Sequence, residues 1–296
     1  MVGPLIALLS AGFFGMNKIF LRRAVLKVSD ASLGTLISVP MSVPLFFLVI
    51  LISGKVQNIS GFSWQGYIWL SLAGILHFVV GRSLNYHCVQ LVGANITNLI
   101  CRSNILVSVV IGVTLLREPL RWRLATGVLF IIIGISLPGI SQLVRGGPQS
   151  RMPKISGKAF IFGFGCGLAW GISPIFIKLG LRGSGGPVSG AFISFLAATL
   201  VLAVSLAHPK RRRSANEFTL KAVALFFSSG LLSFIANLGR YVALGLAPAS
   251  IVTPLFSTSP VFVLLFSFVF NRNLEIFNLP VIIGIAIVVI GSILLV

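Results

Sequence analysis

Hydrophobic positions in this chain come in long unbroken blocks, with polar residues gathered in short connectors. The blocks run over about Leu5 to Leu26, Ala31 to Ser53, Trp64 to Val89, Gly93 to Leu116 and Trp122 to Gln142. Beyond a polar stretch they resume over Lys158 to Leu179, Pro187 to Ala207, Ala222 to Leu246, Ala249 to Phe270 and Ile276 to Val296. Each block is close to the roughly 20 apolar residues that carry a helix across a bilayer. In lipid, backbone groups can be satisfied only within such helices or in closed barrels. The pattern predicts an all-α membrane protein with ten transmembrane helices. Five lie in residues 1–142 and five in residues 158–296, joined by a linker over 143–157 that holds Arg145, Gly146, Gly147, Pro148, Arg151, Pro153 and Lys154.

Composition supports this pattern. Of 296 residues, 56% are hydrophobic and only 9% charged, against about 25% charged in ordinary globular domains. Ten spans with their turns use nearly the whole chain, so no sizeable soluble domain fits. The 23 Lys and Arg against 4 Asp and Glu give a net charge of +19. In a soluble protein that would suggest nucleic acid. Here most cations sit in connectors, where they meet anionic headgroups and set orientation. Cys88, Cys101 and Cys166 lie inside apolar blocks without metal-like spacing, so neither a disulfide framework nor a zinc site is expected. The opening MVGPLIALLSAGFFGMNK has no basic residue before Lys18 and no small-residue cleavage site, and reads as a first span instead of a signal peptide.

The second set of blocks repeats the first. Phe14-Gly15-Met16-Asn17-Lys18-Ile19-Phe20 is matched by Trp170-Gly171-Ile172-Ser173-Pro174-Ile175-Phe176, and Arg22 by Lys178. Gly34, Ile37 and Ser38 return as Gly190, Ile193 and Ser194, Gly81-Arg82 as Gly239-Arg240, and Gly127 and Gly134 as Gly284 and Gly291. With an odd number of spans per copy, the second must enter the membrane from the opposite side, which predicts two inverted five-helix repeats. That architecture places a binding site near the midplane between halves and exposes it alternately to either side. The expected function is a secondary transporter.

On these residues the sequence resembles the drug/metabolite transporter superfamily, and within it the EamA-like family, over nearly its whole length. The resemblance rests on the repeat starts Phe14-Gly15 and Trp170-Gly171 and on the cations Arg22 and Lys178 eight residues on. It rests also on Leu91-Val92-Gly93-Ala94-Asn95 and Leu246-Ala247-Pro248-Ala249-Ser250 at the fourth span of each copy, and on Glu118 followed by Gly127 and Gly134. Phe14 stands where the family has Trp and Ile105 where it has Pro; Glu275 matches Glu118 after a two-residue insertion. The resemblance implies that helices one, three and four of each repeat line the site. It leaves the solute open, because family members carry very different ones. The matched glycines of helices five and ten would brace the bundle.

A cation near the bilayer centre costs about 2.5–3.5 kcal/mol on insertion scales and usually faces an interior cavity. Arg102 stands near the middle of the fourth block on one helical stripe with Asn95 and Asn98, and the repeat offers Ser250, Thr253 and Ser257. Lys18 lies midway along the first block beside Asn17, where the second copy has Ser173 and Pro174, and a proline there frees a backbone carbonyl. Arg82 and Arg240 are repeat partners inside their blocks, with Tyr86 one turn after the first and Tyr241 beside the second. His77 is central in the third block, Asn237 sits in the partner block, and Trp170 is placed to stack on a solute ring. Each has a plainer alternative. Arg102 and His77 can be bonded packing residues, Lys18 can snorkel, Arg82 and Arg240 can anchor at headgroups, and Trp170 can be core. Proton coupling is also open to His77, since histidine switches near neutral pH.

The four acids, Asp30, Glu118, Glu217 and Glu275, fall at block ends or connectors. Central cations without central acids suit an anionic or zwitterionic solute, such as an amino acid or organic anion, and disfavour export of cationic drugs. No HExxH, GxSxG or phosphate loop stands in the chain, so no enzyme activity and no cofactor are expected. The competing reading is an intramembrane enzyme acting on a lipid-linked substrate through His77, Arg102 and Tyr86. A scaffold or receptor would leave the duplicated polar stripe without a purpose. Expected partners are a small-molecule solute and the lipid bilayer, not nucleic acid, with the chain a monomer or homodimer in the cell membrane. Connector cations favour both termini outside the cytoplasm, dominated by Lys210-Arg211-Arg212-Arg213. The family resemblance implies termini inside.

Overall fold

The computed structural model of the protein describes residues 2–25, 27–28, 31–101, 103–119, 121–144, 157–182, 185–207, 218–270 and 279–295, and among them every regular element is helical. Helix α1 covers Val2–Val25. A short 3-10 turn, Ala31–Gly34, leads into α2 (Thr35–Ser38) and α3 (Ser42–Ile52). Next come α4 (Trp64–Gly74), a π-helical stretch (Ile75–Gly81), α5 (Arg82–Cys101), α6 (Ser103–Thr114) and α7 (Trp122–Val144). The second half contains α8 (Gly157–Gly180), α9 (Pro187–Ser205), α10 (Leu220–Leu246), α11 (Ala249–Phe256), α12 (Ser259–Phe270) and α13 (Leu279–Leu295). Six described segments are long and apolar enough to cross a membrane, namely Val2–Leu21, Ser32–Ile52, Trp64–Cys88, Gly157–Gly180, Pro187–Ser205 and Leu220–Leu246. Ser103–Thr114, Trp122–Gly134 and Ala249–Val263 are shorter apolar helices. Large apolar side chains such as Leu9, Ile52, Val204 and Ile293 point outward, as lipid contact requires.

Helix α5 is bonded as a helix throughout but is not straight. Asn85 Nδ2 donates to Cys101 Sγ at 3.6 Å, whereas sixteen residues of straight α-helix would hold them about 24 Å apart. The chain therefore doubles back between them, at the boundary between the third and fourth hydrophobic blocks. In the second half the same reversal is made by Ala247 and Pro248. Ala247 is extended (φ −141°, ψ 161°) and Pro248 opens α11, as expected where a proline pushes its predecessor out of helical geometry.

The halves meet through contacts that recur when the halves are exchanged. A Cβ on Gly15 would lie 2.9 Å from Ser259 O and 2.7 Å from Phe262 Cβ, and one on Gly171 would lie 2.8 Å from Asn104 O and 2.7 Å from Val107 Cβ. Gly34 lies against Phe226 as Gly190 lies against Leu70, and Gly74 against Ser194 as Gly230 against Ser38. Between α7 and α13, a Cβ on Gly134 would lie 2.6 Å from Gly284 O and one on Gly291 2.8 Å from Gly127 O. In lipid, where apolar surface gives no drive to associate, such small residues let helices close to van der Waals and carbonyl contact. The glycines matched in the sequence of α7 and α13 thus pack on each other across the two halves.

Candidate functional site

The polar centre is built around the π-helical stretch. Two glycines bound it. Gly74 admits the Ser194 backbone, whose Oγ donates to Leu70 O at 2.7 Å, and Gly81 leaves room for the Trp170 ring. Trp170 Nε1 in turn donates to His77 O at 3.2 Å, and its ring stacks on the imidazole at 5.6 Å between centroids. Single π-helical turns recur at functional sites because the widened turn re-aims side chains. Here it holds His77 toward the second half.

His77 opens onto a small cavity of about 40 Å³ between the halves, lined from the first half by Phe14, Lys18, His77, Cys101 and Asn104. The second half contributes Trp170, Arg240, Thr253, Phe256, Ser257 and Ser259. Arg240 is only 3% exposed. Its Nη1 lies 3.1 Å from His77 Nε2 and 3.3 Å from Nδ1, and its guanidinium sits over Phe256 at 5.3 Å. A guanidinium can only donate, so the ring nitrogen facing it accepts, and the imidazole in this contact is neutral. Lys18 is half-buried, its Nζ 5.5 Å from the centre of the Phe14 ring. Phe14 and Phe256 meet at 5.2 Å and form one wall.

Beside that wall, α6 and α11 cross antiparallel through a polar ladder. Asn104 Nδ2 donates to Ser257 Oγ at 3.2 Å and Ser108 Oγ to Thr253 Oγ1 at 2.8 Å. Asn104 Oδ1 is buried and has no partner among the described residues. The ladder ends at Glu118, which accepts from Ala249 N at 2.9 Å and Ser250 N at 3.0 Å and so closes the N-terminus of α11. Pro248 cannot cap that helix with a side-chain oxygen, and its first N–H groups would otherwise lack acceptors. Gly112 makes room, since a Cβ there would lie 2.6 Å from Glu118 Oε2. Glu118 is the sole carboxylate among the described residues.

The EamA-like transporter family matches residues 1–138 and again 157–296. The chain belongs to that family. It is a multi-pass helical membrane protein of a transporter family, and the two matches make its halves two EamA units. A solved crystal structure superposes with a TM-score of 0.70 at 16% identity, covering 99% of this chain and 95% of the other, which shows the same fold. No curated protein matches.

Within this EamA protein the sequence-derived candidates separate into groups. Lys18, His77, Trp170, Arg240, Thr253 and Ser257 converge on the cavity. Five others do not line it. Asn17 accepts from Ser229 Oγ, and Arg82, 8% exposed, donates to Ser38 Oγ and Ser233 Oγ, each at 3.2 Å. Asn237 Nδ2 donates to Ser233 O at 2.7 Å within its own helix, Ser173 Oγ reaches Ala73 O at 3.5 Å, and Tyr86 is buried. Arg102 and the side chain of Asn98 lie outside the described residues. Sequence reasoning missed Asn104, Ser108, Phe14, Phe256 and Ser259. The polar spacing Asn104–Ser108, one helical turn inside an apolar run, was the available signal.

Because Glu118 joins the halves, Glu118→Gln is expected to lower stability by about 1–3 kcal/mol, since the amide keeps one acceptor and turns a donor toward a backbone N–H. Thermal unfolding in detergent checks it. An unchanged midpoint would show the cap to be idle.

Proposed function

We propose that the protein is a secondary transporter of a small anionic or zwitterionic metabolite. Ten spans, arranged as inverted repeats, would expose the cavity alternately by rocking one half against the other. The observation that carries the reading is the buried Arg240 guanidinium, which reaches beside Lys18 into an aromatic-walled cavity whose lining includes no carboxylate. A carboxylate or other acid group entering there would meet the planar fork of donors that Arg240 offers. Asn104 Oδ1, Thr253 and Ser257 supply acceptors for an ammonium group on the same solute, so zwitterions fit as well as anions. A permanent organic cation would be repelled by both charges. The described residues hold no group of three or more potential metal ligands, and gradients or exchange suffice as driving force.

Counterflow in proteoliposomes tests this, with glutamate, phenylalanine, benzenesulfonate and tetraethylammonium as probes. Exchange of one or more of the acid-bearing probes is expected, with tetraethylammonium excluded. Exchange of tetraethylammonium alone would overturn the charge argument.

A further inference from the structure

The two buried arginines that the repeat pairs each reach into the opposite half. Arg82 of the first half donates to Ser233, and Arg240 of the second half lies on His77. The contacts play the same part, but only one partner can change charge. A hydroxyl accepts from a guanidinium at any physiological pH, whereas an imidazole accepts only while neutral. His77 is moreover the partner that lines the cavity, while Ser233 does not.

We infer that His77 is the proton site that couples transport, a step that rests on the reading of the cavity as an acid-group site. An arriving acid group draws the Arg240 guanidinium off the imidazole. The freed ring nitrogen, now facing a negative charge instead of a positive one, takes a proton from water on the open side. Solute and proton cross together, so a monoanion moves without net charge. On the far side, loss of the solute lets Arg240 return, and that contact requires the proton to leave. The groups around His77 fit this role. The cations about the ring are Arg240 from α10, Arg82 at the start of α5 and Lys18 across the cavity on α1. From α8 the ring meets Trp170, and α4 and α9 carry no charged residue. Cys101 shares the cavity but donates its Sγ to Gly163 O.

The test uses intact protein in vesicles loaded with a pH-sensitive dye, with glutamate, phenylalanine and benzenesulfonate as probes. Benzenesulfonate stays ionised and cannot leak as a neutral acid, and with potassium and valinomycin clamping the membrane potential no proton is drawn in by charge, so any proton that moves with it is carried by the protein. For wild type, solute entry is expected to acidify the lumen with one proton per solute, and an outside pH one unit below the inside to speed net uptake about tenfold. In His77→Ser, which copies the contact of Ser233, and in His77→Asn, the exchange that remains is expected to move no protons and to ignore the pH gradient. Wild-type uptake without acidification, or proton movement persisting in either variant, would overturn the inference while leaving the solute reading intact. Failure of all three probes to exchange in wild type would overturn that reading and this inference with it.

Discussion

Arg240→Ala is expected to cut exchange of acid-bearing solutes in proteoliposomes by roughly 30- to 1,000-fold, the equivalent of about 2–4 kcal/mol for losing one side of a buried charge pair. The size follows from where the guanidinium sits. It is 3% exposed, packed over Phe256 and aimed into the cavity, where the low local dielectric strengthens its attraction for an anion. Its planar fork can hold a carboxylate with two parallel bonds. Arg240→Lys should therefore recover only part of the loss, because an ammonium is a point charge that cannot reproduce the fork. The alanine variant also leaves the His77 nitrogens without a donor, so unfolding of both variants in detergent must be measured alongside. Exchange within threefold of wild type in folded Arg240→Ala would sink the assignment.

Gly74→Ala carries the largest expected structural effect, about 3 kcal/mol of destabilisation, at the upper end of ordinary overpacking. The new Cβ would meet the O, C and Cα of Ser194 together, and backbone atoms in a packed helix have no rotamer into which to retreat. Displacing that backbone also strains the Ser194–Leu70 hydrogen bond beside the π-helical stretch. The reciprocal position provides the control. A Cβ on Gly230 falls mainly against Met41 Sδ and Cγ, with Ser38 Cα at 3.0 Å, and a methionine end can swing aside. Gly230→Ala should cost about 1 kcal/mol or less, part of it returned by the better helix propensity of alanine. Melting midpoints in one detergent compare the two directly. Equal losses would mean that the contact at Gly74 is looser than its geometry implies.

Much of the architecture was legible because a repeat writes each contact twice. Gly15 and Gly171, Gly34 and Gly190, and the four glycines of α7 and α13 could be matched before any of them was seen against its neighbour. Lys18 and Arg240 were legible for a different reason, since a cation amid apolar residues needs an interior place. The reciprocal contacts themselves were not legible. Nothing in the sequence sets Gly74 against Ser194 or Gly230 against Ser38, which come from other helices. The π-helical stretch left no mark either, because Ile75–Gly81 is an unremarkable apolar run. That stretch decides which way His77 faces. Arg82 and Arg240 illustrate the limit of reading by repeat: equal in sequence, they divide between a serine-held position and the cavity. The stripe read through Ser250, Thr253 and Ser257 found the second-half side of the α6–α11 ladder. The spacing of Asn104 and Ser108 marks one polar face, but that it faces Thr253 and Ser257 follows only from how the helices cross.

Glu118 belongs to the first half, and the helix it closes belongs to the second. Parting them would leave the N–H groups of the buried residues Ala249 and Ser250 without their acceptor, at the cost of two charge-assisted hydrogen bonds. In the proposed rocking motion that corner would serve as a fulcrum, with the eight residues of α11 as a lever arm of about 12 Å. The opposite end of the helix, Phe256 followed by Ser257, lies at the cavity, so a small turn at the capped end would become its widest displacement there.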